Sequence, residues 1–214
     1  MLKESSLYFV TSEEYSAGRG SAHVTREATA GGADIVQMRE KGKTREELLA
    51  LGGELGTLCR KSGVIFIVND DPYLAGELGA DGVHLGQEDI KKYPAGECRD
   101  ILGEGRIIGL STHSPAEFAR ANDMDLDYIA YGPVFPTKTK NYHIGTGDIE
   151  QIVTSARKPV FFIGGINLSN IEVLLALGCR NFAMIREIAE APDVLTKTRE
   201  IKARILRREN LGDM

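Results

Sequence analysis

Two aspartates, Asp70 and Asp89, each follow an apolar stretch of the chain, VIFIV at 64–68 and GVHL at 82–85. Carboxylate oxygens are hard ligands, and Mg²⁺ typically takes one or two of them and fills its remaining positions with water and substrate phosphate. If the fold brings these two loops together, the pair predicts a magnesium site. Taken alone, either aspartate also fits a helix cap or a turn.

Three basic residues, Arg39, Lys41 and Lys140, lie in similar positions after apolar stretches. Cations beside a metal site indicate an anionic substrate, because guanidinium and ammonium groups are common protein partners of phosphate oxygens. A diphosphate is the simplest such substrate. Each of the three also fits a solvated surface charge when it is considered alone.

A second anion site is indicated later in the chain. Thr137 and Thr139 supply hydroxyl groups, and the Gly164–Gly165 pair precedes a predicted helix. Hydroxyl groups and exposed backbone N–H groups near a helix start are the usual components of a phosphate site. We therefore expect two separate anion sites.

Acid–base and nucleophilic residues are sparse. His84 lies within the apolar stretch GVHL and is interpreted as a buried structural histidine, whereas His113 follows a predicted strand and is a candidate base. The chain contains no GxSxG, GxxxxGK[ST], GxGxxG or HExxH pattern, so covalent serine or cysteine catalysis and dinucleotide chemistry are disfavoured.

The elements that must position these residues alternate regularly along the chain. The predicted strands span residues 7–10, 34–38, 64–68, 82–85, 107–110, 128–131, 159–163 and 182–185. The predicted helices span residues 22–30, 44–61, 72–78, 90–101, 115–122, 147–155, 168–177 and 192–208. Nearly continuous apolar strands favour a parallel sheet that is covered on both faces. Eight such units predict an α/β fold, a (β/α)₈ TIM barrel that forms a single domain over residues 1–214, with a doubly wound open sheet as the alternative.

The joints between these elements differ in kind. Helix-to-strand joints read GGAD (31–34), LGADG (78–82) and LGCRN (177–181), with glycine where a helix ends. Strand-to-helix joints carry polar residues, and Thr44, Ser114 and Asn167 are candidate helix caps or first-turn residues. In a TIM barrel all strand-to-helix joints meet at the C-terminal end, so polar residues from 37 to 186 should converge there.

Composition narrows the class of protein. The formal net charge is −5, from 26 Lys and Arg against 31 Asp and Glu, whereas binders of nucleic acid or anionic membranes usually have a basic excess. Cys59, Cys98 and Cys179 are widely spaced and form no metal-binding pattern, which favours idle or buried thiols. With neither a secretory signal nor a membrane-length apolar stretch, a cytoplasmic protein is expected.

Six segments resemble, in order and spacing, the thiamine phosphate synthase family. They are VQMREK (36–41), VND (68–70), GVHLGQED (82–89), GLSTHS (109–114), GPVFPTKTK (132–140) and IGGIN (163–167). Long motifs in a fixed order are specific, and the resemblance extends from about residue 7 to about residue 200.

This resemblance implies a (β/α)₈ transferase with Mg²⁺ as its cofactor. The implied reaction joins 4-amino-2-methyl-5-(diphosphooxymethyl)pyrimidine to 4-methyl-5-(2-phosphooxyethyl)thiazole and releases diphosphate. The implied mechanism is dissociative: the C–O bond to diphosphate breaks first, and the thiazole nitrogen captures the resulting pyrimidine methyl cation. No general base is required, which agrees with the sparse acid–base residues.

The resemblance also assigns site residues. The implied substrate-binding residues are Gln37, Met38, Arg39, Glu40, Lys41, Asn69, Ser111, Thr137, Lys138, Thr139, Lys140, Gly165, Ile185 and Arg186. The implied catalytic residues, around the diphosphate, are Arg39, Lys41, Ser111 and Lys140, and the implied metal ligands are Asp70 and Asp89. Gln37 is assigned to the pyrimidine. The expected partners are the two small substrates, with no nucleic acid and no membrane. Whether the protein forms a homo-oligomer is left open.

Two positions depart from the family pattern. Arg186 stands where the family commonly has a small serine, and we expect its guanidinium to turn toward the thiazole phosphate. Asp71 stands where a basic residue is common, which leaves open which carboxylate holds the metal.

Two other functions are alternatives. A related barrel enzyme, thiazole tautomerase, would use His113 as its base but typically lacks the GQED loop, which is intact here at 86–89. A non-catalytic protein that binds a thiazole or thiamine phosphate would have no need of a separate metal and diphosphate site.

Overall fold

The computed structural model describes residues 2–207, in which eight parallel strands close into a barrel in chain order. The strands are β1 (Leu7–Val10), β2 (Ile35–Met38), β3 (Ile65–Asn69), β4 (Gly82–Leu85), β5 (Ile107–Thr112), β6 (Tyr128–Tyr131), β7 (Val160–Ile163) and β8 (Asn181–Met184). β1 pairs with β8, with Tyr8 opposite Ala183, and this pairing closes the sheet. The TIM-barrel prediction is therefore confirmed, and the open-sheet alternative is wrong.

Helices cover the outside of the barrel. They are α1 (Ser21–Gly31), α2 (Arg45–Ser62), α3 (Pro72–Glu77), α4 (Asp89–Lys92), α5 (Ala95–Leu102), α6 (Pro115–Asp123), α7 (Ile149–Ser155), α8 (Ile171–Ala176), α9 (Arg186–Ala189) and α10 (Val194–Arg207). A 3₁₀ turn at Glu13–Tyr15 follows β1. The eight predicted helices are present, but the predicted helix 90–101 is divided at Pro94, which cannot donate a backbone hydrogen bond. The predicted end of the last helix, at 208, lies outside the described residues.

Local sequence signals explain several helix ends. Thr44 and Glu47 form a capping box at the start of α2, and Ser114 accepts a hydrogen bond from the Glu117 N–H at the start of α6. Gly79 and Gly178 have left-handed backbones just after α3 and α8, with φ of 60° and 89°, a conformation that favours glycine. Asn167 differs from its prediction as a cap, because residues 167–170 form a separate turn before α8.

The alternation of side chains along each strand divides the core into two regions. Tyr8, Ile67, Tyr128 and Phe161 are among the buried residues that fill the barrel interior. A larger cluster lies between the sheet and the helices, and Met38 is one of its members. Because successive side chains point to opposite faces, the inward positions near the C-terminal strand ends include the polar residues Gln37, Asn69, His84 and Ser111.

Two further observations concern the described residues. Cys59, Cys98 and Cys179 are buried and free, as the sequence predicted. Between residues 2 and 207, no helix combines the length and the apolar character needed to cross a membrane.

Candidate active site

A cavity of about 830 Å³ opens at the C-terminal end of the barrel. Its lining includes most of the predicted site residues, namely Gln37, Arg39, Asn69, Asp70, Asp89, Ser111, Thr137, Thr139, Lys140, Gly165, Ile185 and Arg186. These residues are contributed by seven of the eight strands or the joints that follow them. The barrel thus brings together residues that are up to 149 positions apart in sequence (186 − 37).

Four predicted substrate-binding residues are absent from this lining. Met38 is 2% exposed and packs between the sheet and the helices, because it faces away from its inward-pointing neighbour Gln37. The Glu40 carboxylate accepts hydrogen bonds from Thr11 Oγ1 and Ser21 Oγ, so it fastens the β2 joint to neighbouring elements. The other two are Lys41 and Lys138. The assignment of these four residues to the substrates stays a prediction.

Asp70 and Asp89 face each other across adjacent joints. Burial, the negative charge of Asp89 and a hydrogen bond with it together raise the pKa of Asp70 from 3.8 to about 6. Two carboxyl groups that disfavour each other's ionisation are suited to a divalent cation between them. Within residues 2–207, no three His, Cys, Asp or Glu side chains cluster as metal ligands, so this pair fits an ion that takes its other ligands from water and substrate, as Mg²⁺ does.

The structure separates the roles of two adjacent aspartates. Asp70 has a left-handed backbone, with φ of 65°, and its N–H donates to the carbonyl of His84 at 2.8 Å. Asp71 instead accepts a hydrogen bond from the Leu74 N–H and caps α3. Asp71 is therefore a helix cap, and Asp70 is the carboxylate available to a metal.

Side-chain amides next to the carboxylates form a short chain of hydrogen bonds. Gln37 Nε2 donates to Asn69 Oδ1 at 2.6 Å, and Asn69 Nδ2 donates to Asp70 Oδ2 at 2.5 Å. This chain fixes the orientation of both amides. It leaves the Gln37 Oε1 atom as an acceptor at a position that lines the cavity.

A second chain runs through the barrel interior to Ser111. Tyr8 Oη lies 2.9 Å from Tyr128 Oη, which lies 2.8 Å from His84 Nδ1, and His84 Nε2 lies 2.8 Å from Ser111 Oγ. Burial lowers the pKa of His84 to about 4, so the imidazole is neutral near pH 7. The prediction that His84 is a buried structural histidine is confirmed. Its link to Ser111 was missed, because it depends on the register of β4 against β5, in which His84 lies opposite Gly109.

The joint after β6 approaches the glycine pair after β7. Thr137 Oγ1 and Thr139 Oγ1 lie 3.0 Å apart. Gly165 has φ of 65°, and a Cβ atom at this position would lie 2.4 Å from the carbonyl oxygen of Pro136. Only glycine lets the two joints approach so closely. The Gly165 carbonyl accepts hydrogen bonds from Asn167 Nδ2 and Asn170 Nδ2, which fix the loop.

His113 and Gln87 also line the cavity. His113 Nδ1 donates to the carbonyl oxygen of Gly132 at 2.5 Å, which fixes the ring. Gln87, which sequence reasoning did not select, donates from Nε2 to the Ser111 carbonyl at 2.6 Å. Gln87 lies in the GQED segment, but nothing local in the sequence indicates its contact with β5.

Arg186 lies at the cavity wall, but its guanidinium already has a partner. Arg186 Nε and one terminal nitrogen donate to the two carboxylate oxygens of Glu190, both at 2.9 Å. The guanidinium carbon also lies 5.4 Å from the ring centre of Tyr15. The structure thus differs from the expectation of a guanidinium turned toward a phosphate, because the pairing with Glu190, one helical turn away, occupies it.

A closed (β/α)₈ barrel with paired carboxylates, cations and a glycine-lined joint at its C-terminal end defines a class, the TIM-barrel enzymes that act on phosphorylated substrates. Residues 7–188 match the family model described as thiamine monophosphate synthase. The chain belongs to this family.

Named relatives are similar to this protein over nearly its whole length. It is similar to the thiamine-phosphate synthase of Pelotomaculum thermopropionicum, with 39% identity over 98% of this chain and 96% of the relative. It is also similar to the thiamine-phosphate synthase of Dictyoglomus turgidum, with 40% identity over 94% and 90% of the two chains. The solved structure of a thiamine phosphate pyrophosphorylase from Pyrococcus furiosus aligns with a TM-score of 0.83 and 33% identity, covering 95% of this chain and 98% of that one.

Proposed function

We propose that this enzyme condenses 4-amino-2-methyl-5-(diphosphooxymethyl)pyrimidine with 4-methyl-5-(2-phosphooxyethyl)thiazole to give thiamine phosphate and diphosphate. One observation carries the proposal: a single cavity contains a carboxylate pair with Arg39 beside it, and also the hydroxyl and glycine loop that carries Lys140. These two regions match the two phosphorylated ends that the reaction must hold, one on each substrate.

The first region supports departure of diphosphate. Arg39 and Lys140 line the cavity together with Asp70 and Asp89, so their positive charges are available as negative charge accumulates on the leaving group. Asp70 and Asp89 are the residues that would hold Mg²⁺, which would neutralise the diphosphate further. As the C–O bond breaks, its electron pair goes to the diphosphate oxygen and leaves a pyrimidine methyl cation.

Gln37 is the proposed contact of the pyrimidine. Its Nε2 atom is engaged by Asn69, so Oε1 is the atom available to a ligand. An amide oxygen accepts hydrogen bonds, and the exocyclic 4-amino group of the pyrimidine donates them. Gln37 is 4% exposed, so this contact would lie deep in the cavity and fix the ring orientation.

The second region would hold the thiazole phosphate. Thr137 and Thr139 supply two hydroxyl groups that lie together, and the joint at Gly165 supplies backbone close to them. Holding this phosphate places the thiazole nitrogen against the cation, where its lone pair forms the new C–N bond. No proton transfer is needed in this step.

The alternatives are less well supported. A tautomerase releases no diphosphate, so it has no need of the carboxylates Asp70 and Asp89 and the basic residues that line this cavity with them. A binding protein has no use for a pair of carboxylates that disfavour each other, because they lower stability unless a cation is bound.

The proposal is tested by assaying diphosphate release with both substrates present, with each omitted, and with Mg²⁺ removed by EDTA. Release should require both substrates and Mg²⁺, because Asp70 and Asp89 supply only about two of the six metal ligands and share the ion with the leaving group. Undiminished product formation in excess EDTA would contradict the metal part of the proposal. Release without the thiazole phosphate would indicate hydrolysis instead of condensation.

Two lysines of one loop provide a matched comparison. Lys140 lines the cavity, whereas Lys138 does not. Lys140→Ala should lower kcat at least tenfold, since removing a preorganised electrostatic contact typically costs about 10² to 10³ in rate. Lys138→Ala should retain kcat within about threefold. Equal effects would show that Lys140 is not a partner of the leaving group.

A further inference from the structure

The interior chain of polar groups is unusual for the centre of a barrel. Tyr8, Tyr128 and His84 are 2%, 0% and 8% exposed, yet their polar atoms are joined in one line that ends at Ser111. Buried polar groups destabilise a core unless they are hydrogen-bonded, and apolar residues would fill this space more simply. The line opens to the cavity only at Ser111, which is one of the residues that line it.

Gly109 makes this arrangement possible. In the sheet it lies between His84 of β4 and Tyr128 of β6, opposite both of them in register. A Cβ atom on Gly109 would lie 2.0 Å from the Tyr128 ring. Because Gly109 has no side chain, the Tyr128 ring occupies this position and its hydroxyl reaches His84.

The hydrogen bonds of the chain can run in one of two directions. In the first, Tyr8 donates to Tyr128, Tyr128 donates to His84 Nδ1, and His84 Nε2 donates to Ser111. In the second, Ser111 donates to His84, His84 donates to Tyr128, and Tyr128 donates to Tyr8. Because the neutral imidazole has one N–H donor and one acceptor, the directions at its two nitrogens are coupled.

The inner end of the chain decides between these directions. Among the described residues, Tyr8 Oη has no hydrogen-bond partner except Tyr128. In the second direction the Tyr8 hydroxyl proton would be buried without an acceptor, whereas in the first it is used. The first direction is therefore favoured. It also leaves the Ser111 proton free, because Ser111 Oγ accepts from His84.

We infer that Tyr128 and His84 are positioning residues that set the Ser111 hydroxyl as a hydrogen-bond donor toward the diphosphate leaving group. The inference rests on the proposed function, which places the diphosphate at Ser111. A hydrogen-bond donor that is oriented before the reaction stabilises the transition state, in which negative charge develops on the leaving oxygen, more than it stabilises the bound substrate. Its loss should therefore lower kcat more than it raises KM.

The direction of the chain can be measured without any substrate. The sequence has four histidines, so the nitrogen signals of the ¹⁵N-histidine-labelled protein can be resolved by NMR, and His84→Gln assigns those of His84. We expect the Nε2–H tautomer in the wild type and in Tyr8→Phe, which removes a hydroxyl one link further from the imidazole. Tyr128→Phe should lose this tautomer preference. A wild-type Nδ1–H tautomer would overturn the inference.

A double-mutant cycle tests the link to Ser111. Tyr128→Phe should lower kcat about tenfold and leave the KM of the pyrimidine diphosphate within about twofold, whereas Tyr8→Phe should retain kcat. In the Ser111→Ala background, Tyr128→Phe should have no further effect on kcat. Independent, multiplying effects would overturn the inference. If the wild type lacks condensation activity, the proposed function fails, and the NMR result still decides the direction.

Discussion

At the scale of single residues, the position of a side chain within its strand decides its role. Gln37 and Met38 are neighbours in a motif that resembles the family, but Gln37 faces the cavity and Met38 faces the helices. The twofold repeat of a strand could have predicted this division. The interior chain to Ser111 could not be predicted, because Tyr8, Tyr128 and His84 meet only when the barrel closes.

The first prediction at this scale concerns the charge of Asp70 in the metal-free protein. Its pKa is raised to about 6, so between about pH 4 and 6 the folded state binds more protons than the unfolded state. Stability should therefore fall as pH rises through this window. Asp70→Asn removes this penalty, and asparagine tolerates the left-handed backbone. Without Mg²⁺ at pH 7, the Tm of the variant should exceed that of the wild type by about 3 °C.

Scanning calorimetry at pH 5 and pH 7, with and without Mg²⁺, measures this effect. Mg²⁺ should raise the wild-type Tm more at pH 7 than at pH 5, since protonation of Asp70 competes with the metal. It should have little effect on Asp70→Asn. Glu54→Gln, which changes an exposed carboxylate of α2 outside the cavity lining, is the control and should behave as the wild type. A lower Tm of Asp70→Asn at pH 7 without metal would disprove the explanation.

The second prediction concerns Arg186. Because its guanidinium is held by both oxygens of Glu190, Arg186→Ser should change the KM of the thiazole phosphate by less than about threefold. Glu190→Gln weakens this pairing and frees positive charge at the cavity wall, so it should lower that KM. Steady-state kinetics on both variants measures this, with the KM of the pyrimidine diphosphate as the control. A ten- to hundredfold rise in Arg186→Ser would instead show that the guanidinium reaches the phosphate.

At the scale of elements, sequence signals were most informative where a local interaction fixes the structure. The cap at Thr44 and the glycine at Gly79 need only residues a few positions away, and both were predicted. The start of α8 was misplaced, because Asn170 Oδ1 accepts from the Asn167 N–H and closes a turn instead of a helix. Competition between side chain and backbone for the same donor is hard to predict from sequence alone.

The joints show why the candidate site was only partly predictable. Asp70 and Asp89 could be placed at the same end of the barrel from strand order alone. Whether a side chain in a joint reaches the cavity depends on contacts made by that joint. Glu40, for example, is held by Thr11 and by the backbone of Glu13, and Asp71 is used as a cap. The contacts of Glu40 join residues 27 and 29 positions apart in sequence, whereas the cap at Asp71 is local.

At the scale of the whole molecule, alternation of strands and helices predicted the order of the barrel, but closure depends on contacts between its two ends. Asp34 links these ends. Its carboxylate accepts from Lys202 Nζ of α10 at 2.6 Å, from Lys3 Nζ at 2.8 Å and from the Leu7 N–H of β1 at 2.9 Å. The side chains of Asp34 and Lys202 are 7% and 15% exposed. The carboxylate thus ties the last helix to the first strand.

The last prediction is that Asp34→Asn destabilises the protein by about 3 kcal/mol at pH 7, because it leaves the nearly buried Lys202 without its charged partner and with the Ser5 carbonyl as its remaining acceptor. Although burial alone would raise the pKa of Asp34, the hydrogen bonds from Lys202, Lys3 and Leu7 lower it overall. The carboxylate therefore stabilises the fold above its unfolded pKa of about 4, and this stabilisation is lost as pH falls through the folded value. In urea unfolding, the difference in the free energy of unfolding between the wild type and the variant should become smaller below about pH 4.

Asp123→Asn is the matched control. Its partner Arg157 lies at 2.6 Å, but the two side chains are 70% and 71% exposed, so the loss of this ion pair should cost less than about 1 kcal/mol. Equal losses in the two variants would show that Asp34 contributes no more to barrel closure than a surface ion pair.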